Sequence, residues 1–166
     1  MSDFQSTTET DVGVIKLRTI ATDADALLTR ALGFSPPLLG AVRTRHGVYC
    51  ARVGPHEWLM IGANDALGET HDRLAAAFDG ARTLLIDMSH GSHVLRFEGP
   101  GAIDRINAYC DLDLEAFSTG AAGRTRFGDI PIVLVRLDDR PTFWLIADQS
   151  YADYLDLLVR HGALTG

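Results

Sequence analysis

The sequence predicts an α+β protein of two linked ferredoxin-like layers, in which helices cover antiparallel sheets. Three observations carry this prediction. Short apolar runs with strand periodicity alternate with amphipathic helical segments, the first half has the β-α-β-β-α-β order of the split βαβ motif, and the second half reads β-α-β-β-β-α. We expect a flexible tail at residues 1–11, a first half at 12–88 and a second half at 89–166, with both halves packed as one body.

The first half opens with a strand and a helix. Residues 12–18 are apolar enough for a strand, and Thr22 with Asp25 three residues later forms a capping-box pattern that predicts a helix start. Gly33 follows the helical stripe, where a left-handed residue ends many helices.

Two strands, a helix and a strand complete this half. Residues 47–53 and 57–61 predict strands joined by a tight turn, and a helix follows up to residue 78, with His71 on its apolar stripe. Residues 83–87 then predict a buried strand.

The second half begins with residues 92–98, where apolar and polar side chains alternate as in a half-buried strand. A proline in the first turn, Pro100, predicts the start of a short helix, and three strands follow at residues 121–127, 130–137 and 142–147. The last helix begins near residue 149, and its apolar side chains are expected to be buried. They are Tyr151, Tyr154, Leu155, Leu158 and Val159.

The composition excludes several classes of function. Fifteen Lys and Arg against 22 Asp and Glu give 166 residues a net charge of −7, which argues against a nucleic-acid partner. No apolar stretch approaches the roughly 20 residues needed to cross a bilayer, and no leader-like segment opens the chain. We therefore expect a cytoplasmic protein that does not enter membranes, with Cys50 and Cys110 free and reduced.

Several residues are of types that form metal or catalytic sites in other proteins, but the partner residues that such sites need are absent from the pattern here. His90 and His93 form an H-x-x-H pair with no third ligand at a recognised spacing, and Ser89 lacks the G-x-S-x-G elbow of hydrolases. His71 is expected in the core or in a subunit contact. We predict no catalytic residue and no metal ligand; a metal held by the histidine pair is the weaker alternative.

Cysteines, glycines and acids have ordinary explanations as well. Cys50 and Cys110 are expected to be small buried side chains. Gly99 and Gly101 lack the third glycine of a dinucleotide fingerprint, which leaves a phosphate site there as a weaker alternative. Two acidic pairs are expected in surface turns, namely Asp111 with Asp113 and Asp138 with Asp139.

Seven segments, in one order, resemble the gamma subunit of heterotetrameric sarcosine oxidase. They are G-P-H-E-W-L-M at 54–60, D-M-S-H-G at 87–91, L-R-F-E-G-P-G-A at 95–102, C-D-L-D-L at 110–114, A-F-S-T-G at 116–120, R-T-R-F at 124–127 and R-L-D-D-R-P-T-F at 136–143. The helix at 150–158 is also similar to the one that ends this family, so the resemblance covers about residues 48–161.

The resemblance extends to the aminomethyltransferase group, which includes the T-protein of glycine cleavage. It implies that this chain corresponds to the first part of that fold, without the C-terminal barrel. In the T-protein pattern G-G-I-x-D-D a carboxylate serves the folate chemistry. Residues 128–133 read G-D-I-P-I-V, so Ile132 and Val133 replace both acids, and the resemblance implies no independent folate-dependent catalysis.

The resemblance further implies a non-catalytic subunit of an oxidoreductase complex with large, medium and very small partners. That complex demethylates sarcosine oxidatively to glycine with FAD, FMN, NAD and tetrahydrofolate, which lie on the other subunits. We therefore expect no cofactor on this chain, and its cofactor-binding residues are unknown. Two alternatives stay open: a stand-alone folate- or small-ligand-binding protein of the aminomethyltransferase group, and the small subunit of another N-methyl amine demethylase.

Such a role requires side chains that meet a partner. Four large aromatic residues are candidates, although the core is the commoner place for each. They are Trp58, Phe127, Phe143 and Trp144. Arg124 and Arg126 alternate on a strand and so face one side, where partner carboxylates or solvent would meet them.

Overall fold

The computed structural model describes residues 3–161 of the chain. These residues form two compact units. The middle unit consists of residues 11–90, and the split unit consists of residues 3–10 together with 91–161. The chain therefore starts in one unit, builds the other, and returns.

The secondary structure follows in chain order. Through the middle unit the elements are β1 (Gln5–Thr8), β2 (Val12–Thr19), α1 (Ala24–Leu32), β3 (Val42–Arg45), β4 (Val48–Gly54), β5 (Glu57–Ala63), α2 (Asn64–Ala77) and β6 (Thr83–Asp87). The remaining elements are β7 (Ser92–Glu98), α3 (Ala102–Asn107), β8 (Ala122–Phe127), β9 (Ile130–Asp138), β10 (Thr142–Asp148), a 3₁₀ turn (Gln149–Tyr151) and α4 (Ala152–His161).

Both sheets are five-stranded and antiparallel and share one topology. The middle sheet has the order β3-β4-β5-β2-β6, and the split sheet has the order β8-β9-β10-β7-β1. Reading the two orders together, β7 takes the place of β2, β8 to β10 take the places of β3 to β5, and β1 takes the place of β6. The fifth strand of the split sheet thus comes from the start of the chain. The predicted α+β class with two ferredoxin-like layers is confirmed.

Each unit has its own hydrophobic core between its helices and one face of its sheet. In the middle unit, α1 and α2 pack on a cluster that includes Ile15, Leu17, Leu28, Trp58, Met60 and Leu74. In the split unit, the cluster includes Leu95, Phe97, Ile106, Phe127, Phe143 and Leu155. Leu95 and Phe97 alternate into this core as the pattern of residues 92–98 predicts.

The N-terminal segment is not the flexible tail that its polarity suggested. Residues 5–8 form β1, which pairs with β7 so that Gln5 lies opposite Glu98. Phe4 stacks on Phe97 with ring centroids 5.3 Å apart. An edge strand that is exposed throughout needs no apolar alternation, which is why the pattern of this segment hid a strand.

Two further local predictions of the first half are wrong. The strand β3 was missed, because Val42–Arg45 is a polar edge strand with three exposed residues. The helix α1 begins at Ala24 after Asp23, with no side-chain capping bond, so the capping box at Thr22 does not form. Gly33 does end this helix, in the predicted left-handed conformation at φ 76°.

At two apolar segments, side chains that were predicted to be buried are exposed. The strand predicted to be buried, β6, is an edge strand whose Leu84 and Ile86 are exposed. In the last helix, Leu155 and Val159 are buried as predicted, but Tyr151 and Tyr154 are exposed. Leu158 is half-buried against the same core, so the buried face of this helix is narrower than predicted. No helix within residues 3–161 has the length and apolar character to span a membrane. Whether the two units pack as one body stays a prediction.

Candidate functional site

The histidine pair does not form a binding site. His90 is exposed at the end of the middle unit, whereas His93 is buried on β7 with its Nε2 atom 3.3 Å from Oδ1 of Asp156 in α4. His71, on α2, is half-buried with Nδ1 3.9 Å from Oδ1 of Asp72. Among residues 3–161, no three His, Cys, Asp or Glu side chains are grouped to hold a metal ion.

Ser89 organises a turn. Its hydroxyl donates to Oδ1 of Asp87 at 2.6 Å and accepts from the Val14 N–H at 3.2 Å, and its own N–H donates to the same carboxylate at 2.9 Å. The bond from the Ser89 hydroxyl, followed by that from its N–H, lowers the pKa of Asp87 below its usual value. Because the serine proton points at a carboxylate that fixes the turn, the arrangement anchors β6 to β2.

The cysteines are buried in separate units. Burial raises the pKa of the Cys50 thiol to about 12, so it stays protonated at physiological pH. Cys110 is also buried, and its Sγ atom lies 3.5 Å from Oγ1 of Thr125. The protonated Cys50 has no nucleophilic role in the folded chain.

Gly99 and Gly101 position the N-terminal segment. Gly99 has φ 104°, and a Cβ atom there would collide with the Asp3 carbonyl oxygen. The Gly101 N–H donates to that same oxygen at 3.2 Å. The glycines therefore let the start of the chain approach the turn before α3, and this explains them without a phosphate.

A cavity of about 340 Å³ lies beside this turn in the split unit, lined by residues 3–5, Arg96, residues 98–100, Arg140 and Thr142. Its two arginines already have carboxylate partners. Nε of Arg96 is 2.9 Å from Oε2 of Glu98, and Nη2 of Arg140 is 3.4 Å from Oδ2 of Asp138. The cavity therefore has no surplus positive charge for a polyanionic ligand such as a folate.

The acidic pairs serve turns, as predicted. Oδ1 of Asp113 accepts the N–H groups of Glu115 and Ala116 at 3.1 and 3.3 Å. Asp138 accepts the Arg140 N–H at 2.9 Å, and Asp139 accepts the hydroxyl of Thr119. Asp111 is exposed in the segment between α3 and β8.

The β8–β9 hairpin carries the residues that differ from the T-protein pattern. Ile132 and Val133 are both buried on β9, and Gly128 makes the turn at φ 58°. Arg124 and Arg126 are exposed on β8, and Nη2 of Arg126 donates to the Asp129 carbonyl at 2.7 Å. Apolar side chains thus pack at the two positions where the T-protein pattern has carboxylates.

The aromatic residues proposed as partner anchors lie in the interior. Trp58, Phe127, Phe143 and Trp144 are all at least 95% buried. The indole N–H of Trp144 donates to Oε1 of Glu9 at 3.2 Å, beside β1. The core alternative is therefore correct for each, and the partner alternative is wrong for these four.

Large apolar side chains are exposed at several places. Leu38 and Leu39 lie exposed in the loop between α1 and β3, and two further groups lie on regular elements. On the 3₁₀ turn and α4, Tyr151, Tyr154 and Leu157 repeat every three residues and form an exposed stripe. In the middle unit, exposed Leu84 and Ile86 lie on β6. Clustered exposed apolar side chains are typical of interaction sites. The sequence pattern predicted that both segments are buried. Hydrophobicity alone does not show whether a strand lies at the edge of a sheet or which face of a helix meets the core.

Comparisons with protein families and with curated proteins find no match for this sequence. Solved structures do match. A chain of the heterotetrameric sarcosine oxidase from Corynebacterium sp. U-96 superposes with a TM-score of 0.83 at 24% identity, over 95% of this chain and 82% of that chain. The two chains share one fold.

Two further structures share this fold to different extents. Aminomethyltransferase T of the glycine cleavage system from Bartonella henselae matches with a TM-score of 0.75 at 10% identity, over 95% of this chain but 45% of its own. The regulatory subunit of aspartate kinase from Thermus thermophilus matches with a TM-score of 0.53 at 13% identity. The present chain thus spans less than half of the aminomethyltransferase but most of the sarcosine oxidase chain.

Proposed function

We propose that this chain is the gamma-type, non-catalytic small subunit of a heterotetrameric sarcosine oxidase complex. One observation carries the proposal: the chain matches 82% of a chain from such a complex, with a TM-score of 0.83. The counterpart is therefore a protein of similar extent, whereas the aminomethyltransferase is more than twice as long as the matched part. The identity to the sarcosine oxidase chain, 24%, is also higher than the 10% to the aminomethyltransferase.

The side chains of the described residues favour a supporting role. Ser89 and Asp87 bond to each other within a turn, and the Cys50 thiol is protonated. Apolar Ile132 and Val133 lie at the two positions where the T-protein pattern has the protein carboxylate that serves the folate chemistry. In this proposal FAD, FMN, NAD and tetrahydrofolate are bound by the other subunits. This chain contributes surface to the assembly.

The exposed stripe of Tyr151, Tyr154 and Leu157 supports an assembly role. Tyrosine combines a large apolar ring with a polar hydroxyl and is enriched at protein interfaces. Two exposed tyrosines and one exposed leucine on one short segment form a clustered apolar surface of the kind that interaction sites have. We propose that this stripe contacts the large subunit of the complex.

Isolation of the chain from its own cells tests the proposal. A C-terminal affinity tag leaves β1 in its sheet, and the recovered partners are identified by mass spectrometry. We expect flavin-containing subunits, and sarcosine-dependent hydrogen peroxide production by the recovered complex but not by this chain alone. Sarcosine oxidation by the single chain with its own flavin would overturn the proposal, as would recovery without any flavoprotein.

The recovered complex also separates the alternatives. Assays with several secondary and tertiary N-methyl amines distinguish sarcosine oxidase from another amine demethylase. Titration calorimetry of the isolated chain with tetrahydrofolate tests the stand-alone folate-binding alternative. We expect no heat of binding at millimolar folate, because both arginines of the 340 Å³ cavity are already paired.

A further inference from the structure

The outer edge of β6 forms a distinct surface, here called the β6 edge surface. It comprises Arg18, Ile20, Arg82, Leu84 and Ile86. Ile20, Leu84 and Ile86 are 60%, 50% and 39% exposed. A shallow groove of about 330 Å³ runs beside them, lined by residues 18–20 and 82–84.

The backbone of this edge has free hydrogen-bonding groups. The Ile20 N–H donates to the Arg82 carbonyl, and the Met88 N–H donates to the Val14 carbonyl, so positions 82 and 88 bond inward to β2. Bonding direction alternates along an antiparallel edge strand. The N–H groups of Thr83, Leu85 and Asp87 therefore point outward, where an added strand would meet them.

The same position in the split sheet is built differently. There β1 forms the edge, and its four residues, Q-S-T-T, are polar and exposed. Proteins commonly protect open sheet edges with polar or charged residues. One chain thus has a protected edge and an unprotected apolar edge at equivalent positions, which indicates that the apolar edge is kept for a partner.

The charges of the surface indicate the chemistry of that partner. Arg18 lies opposite Leu84 in the strand register, and Arg82 precedes Leu84 by two residues, so both guanidiniums share the face of Leu84. Neither makes an ion pair or side-chain hydrogen bond with any residue from 3 to 161. Glu57 lies opposite Arg18 on β5, but it pairs with Lys16 at 3.5 Å. On a chain of net charge −7, the two arginines are therefore a local positive site that carboxylates of a partner would complement.

We propose that the β6 edge surface binds an extended acidic segment of a partner polypeptide, which adds a strand to β6. Its backbone pairs with the outward groups of β6, its apolar side chains cover Leu84 and Ile86, and its carboxylates meet Arg18 and Arg82. The partner is taken to be another subunit of the proposed complex, so this identity rests on the proposed function. That the segment is acidic and extended is inferred from the β6 edge surface itself and does not depend on the proposed function.

A second copy of this chain satisfies the surface less well. Antiparallel pairing of β6 with itself would set Leu84 against Ile86 but bring Arg18 and Arg82 of both copies to one face. Leu85 packs toward the core, so Asp87, two residues on, points to that opposite face as well. Four guanidiniums would then share that face, where the carboxylate opposite Arg18 in the register, Glu57, already pairs with Lys16 at 3.5 Å in each copy. Dimerisation is accordingly an outcome of the test that would overturn the assignment.

The first arm of the test uses the native complex. The double variant R18E/R82E is compared with R43E/R73E, which changes the net charge equally at exposed sites on β3 and α2, away from the β6 edge surface and from the stripe on α4. We expect R18E/R82E to reduce recovery of the partner subunits about tenfold and the control to leave it unchanged. In the wild-type complex, hydrogen exchange at Thr83, Leu85 and Asp87 should slow relative to the free chain. A complex in which these amides exchange unchanged overturns the inference while leaving the proposed function intact.

The second arm decides the inference without the complex. The free full-length chain, labelled with ¹⁵N, is titrated with an eight-residue peptide of alternating valine and glutamate and with its valine–lysine counterpart. We expect the glutamate peptide to shift the resonances of residues 83–87 in the wild type and in R43E/R73E but not in R18E/R82E. Equal effects of both peptides, no shifts, or concentration-dependent dimerisation abolished by R18E/R82E each overturn the proposal. If the wild type recovers no flavoprotein but binds the glutamate peptide, only the proposed function fails.

Discussion

Replacing Phe127 and Tyr154 with alanine, one at a time, tests which aromatic residues hold the split unit together. Phe127 is fully buried, with ring centroids 6.2 Å from Phe97 and 5.0 Å from Tyr109, whereas Tyr154 is 47% exposed. Truncation of a buried Phe to Ala costs about 3–5 kcal/mol, and aromatic pairs add about 1 kcal/mol. We therefore expect Phe127→Ala to lower the free energy of unfolding by about 4 kcal/mol, and Tyr154→Ala by less than about 1 kcal/mol.

Urea unfolding followed by tryptophan fluorescence measures both changes. In a Trp58→Phe background, the remaining Trp144 reports on the split unit alone. With a slope of about 2 kcal/mol per molar urea, Phe127→Ala should lower the midpoint by about 2 M and Tyr154→Ala by less than about 0.5 M. Equal shifts, or a larger shift for Tyr154→Ala, would refute the assignment of core and surface in this unit.

Three further outcomes are expected. Gly99→Ala should destabilise the split unit by about 2 kcal/mol or more, because φ 104° disfavours a side chain and the new Cβ meets the N-terminal backbone; faster amide exchange in β1 is the measurement. Asp87→Asn should destabilise the protein at pH 7, where the carboxylate accepts from Ser89. Since folding lowers the pKa of Asp87, the stability difference from wild type should shrink as pH falls from about 3.8 through the lower pKa of the folded state, and a constant difference in urea midpoints would contradict this. In Cys110→Ser, the remaining Cys50 should react with Ellman's reagent at pH 8 only upon unfolding, since at a pKa of about 12 roughly one thiol in ten thousand is ionised; a fast reaction of the folded protein would show otherwise.

The pattern of the sequence predicts those elements whose formation depends on burial. The strand β7 alternates Leu95 and Phe97 into the core, and Gly33 ends α1, because hydrophobic periodicity and left-handed glycine are local signals. The strands β1 and β3 were missed because pairing with β7 or β4 is decided by residues far away in sequence. A polar edge strand carries no local signal that distinguishes it from a loop.

The candidate site was predictable only in part. The ordinary roles of Cys50, Cys110 and the acidic turns followed from composition and spacing, whereas the apolar replacement of the two acids on β9 followed from the resemblance to the T-protein pattern. The exposed aromatic and aliphatic surfaces did not, because Tyr154 and Leu84 belong to runs as apolar as those of the core. Whether such a run faces inward depends on its place in the sheet or on the phase of its helix, and both are tertiary facts.

The return of the chain to the split unit has a consequence for synthesis on the ribosome. Gln5 leaves first but can pair only after Glu98 has been made, so β1 must wait while the whole middle unit is translated. Residues 11–90 contain all the strands of their own sheet and can fold during that wait, since domains generally fold as units during translation. The capture of β1 by β7 must therefore come after the middle unit has been translated, although β1 is the first strand to be made.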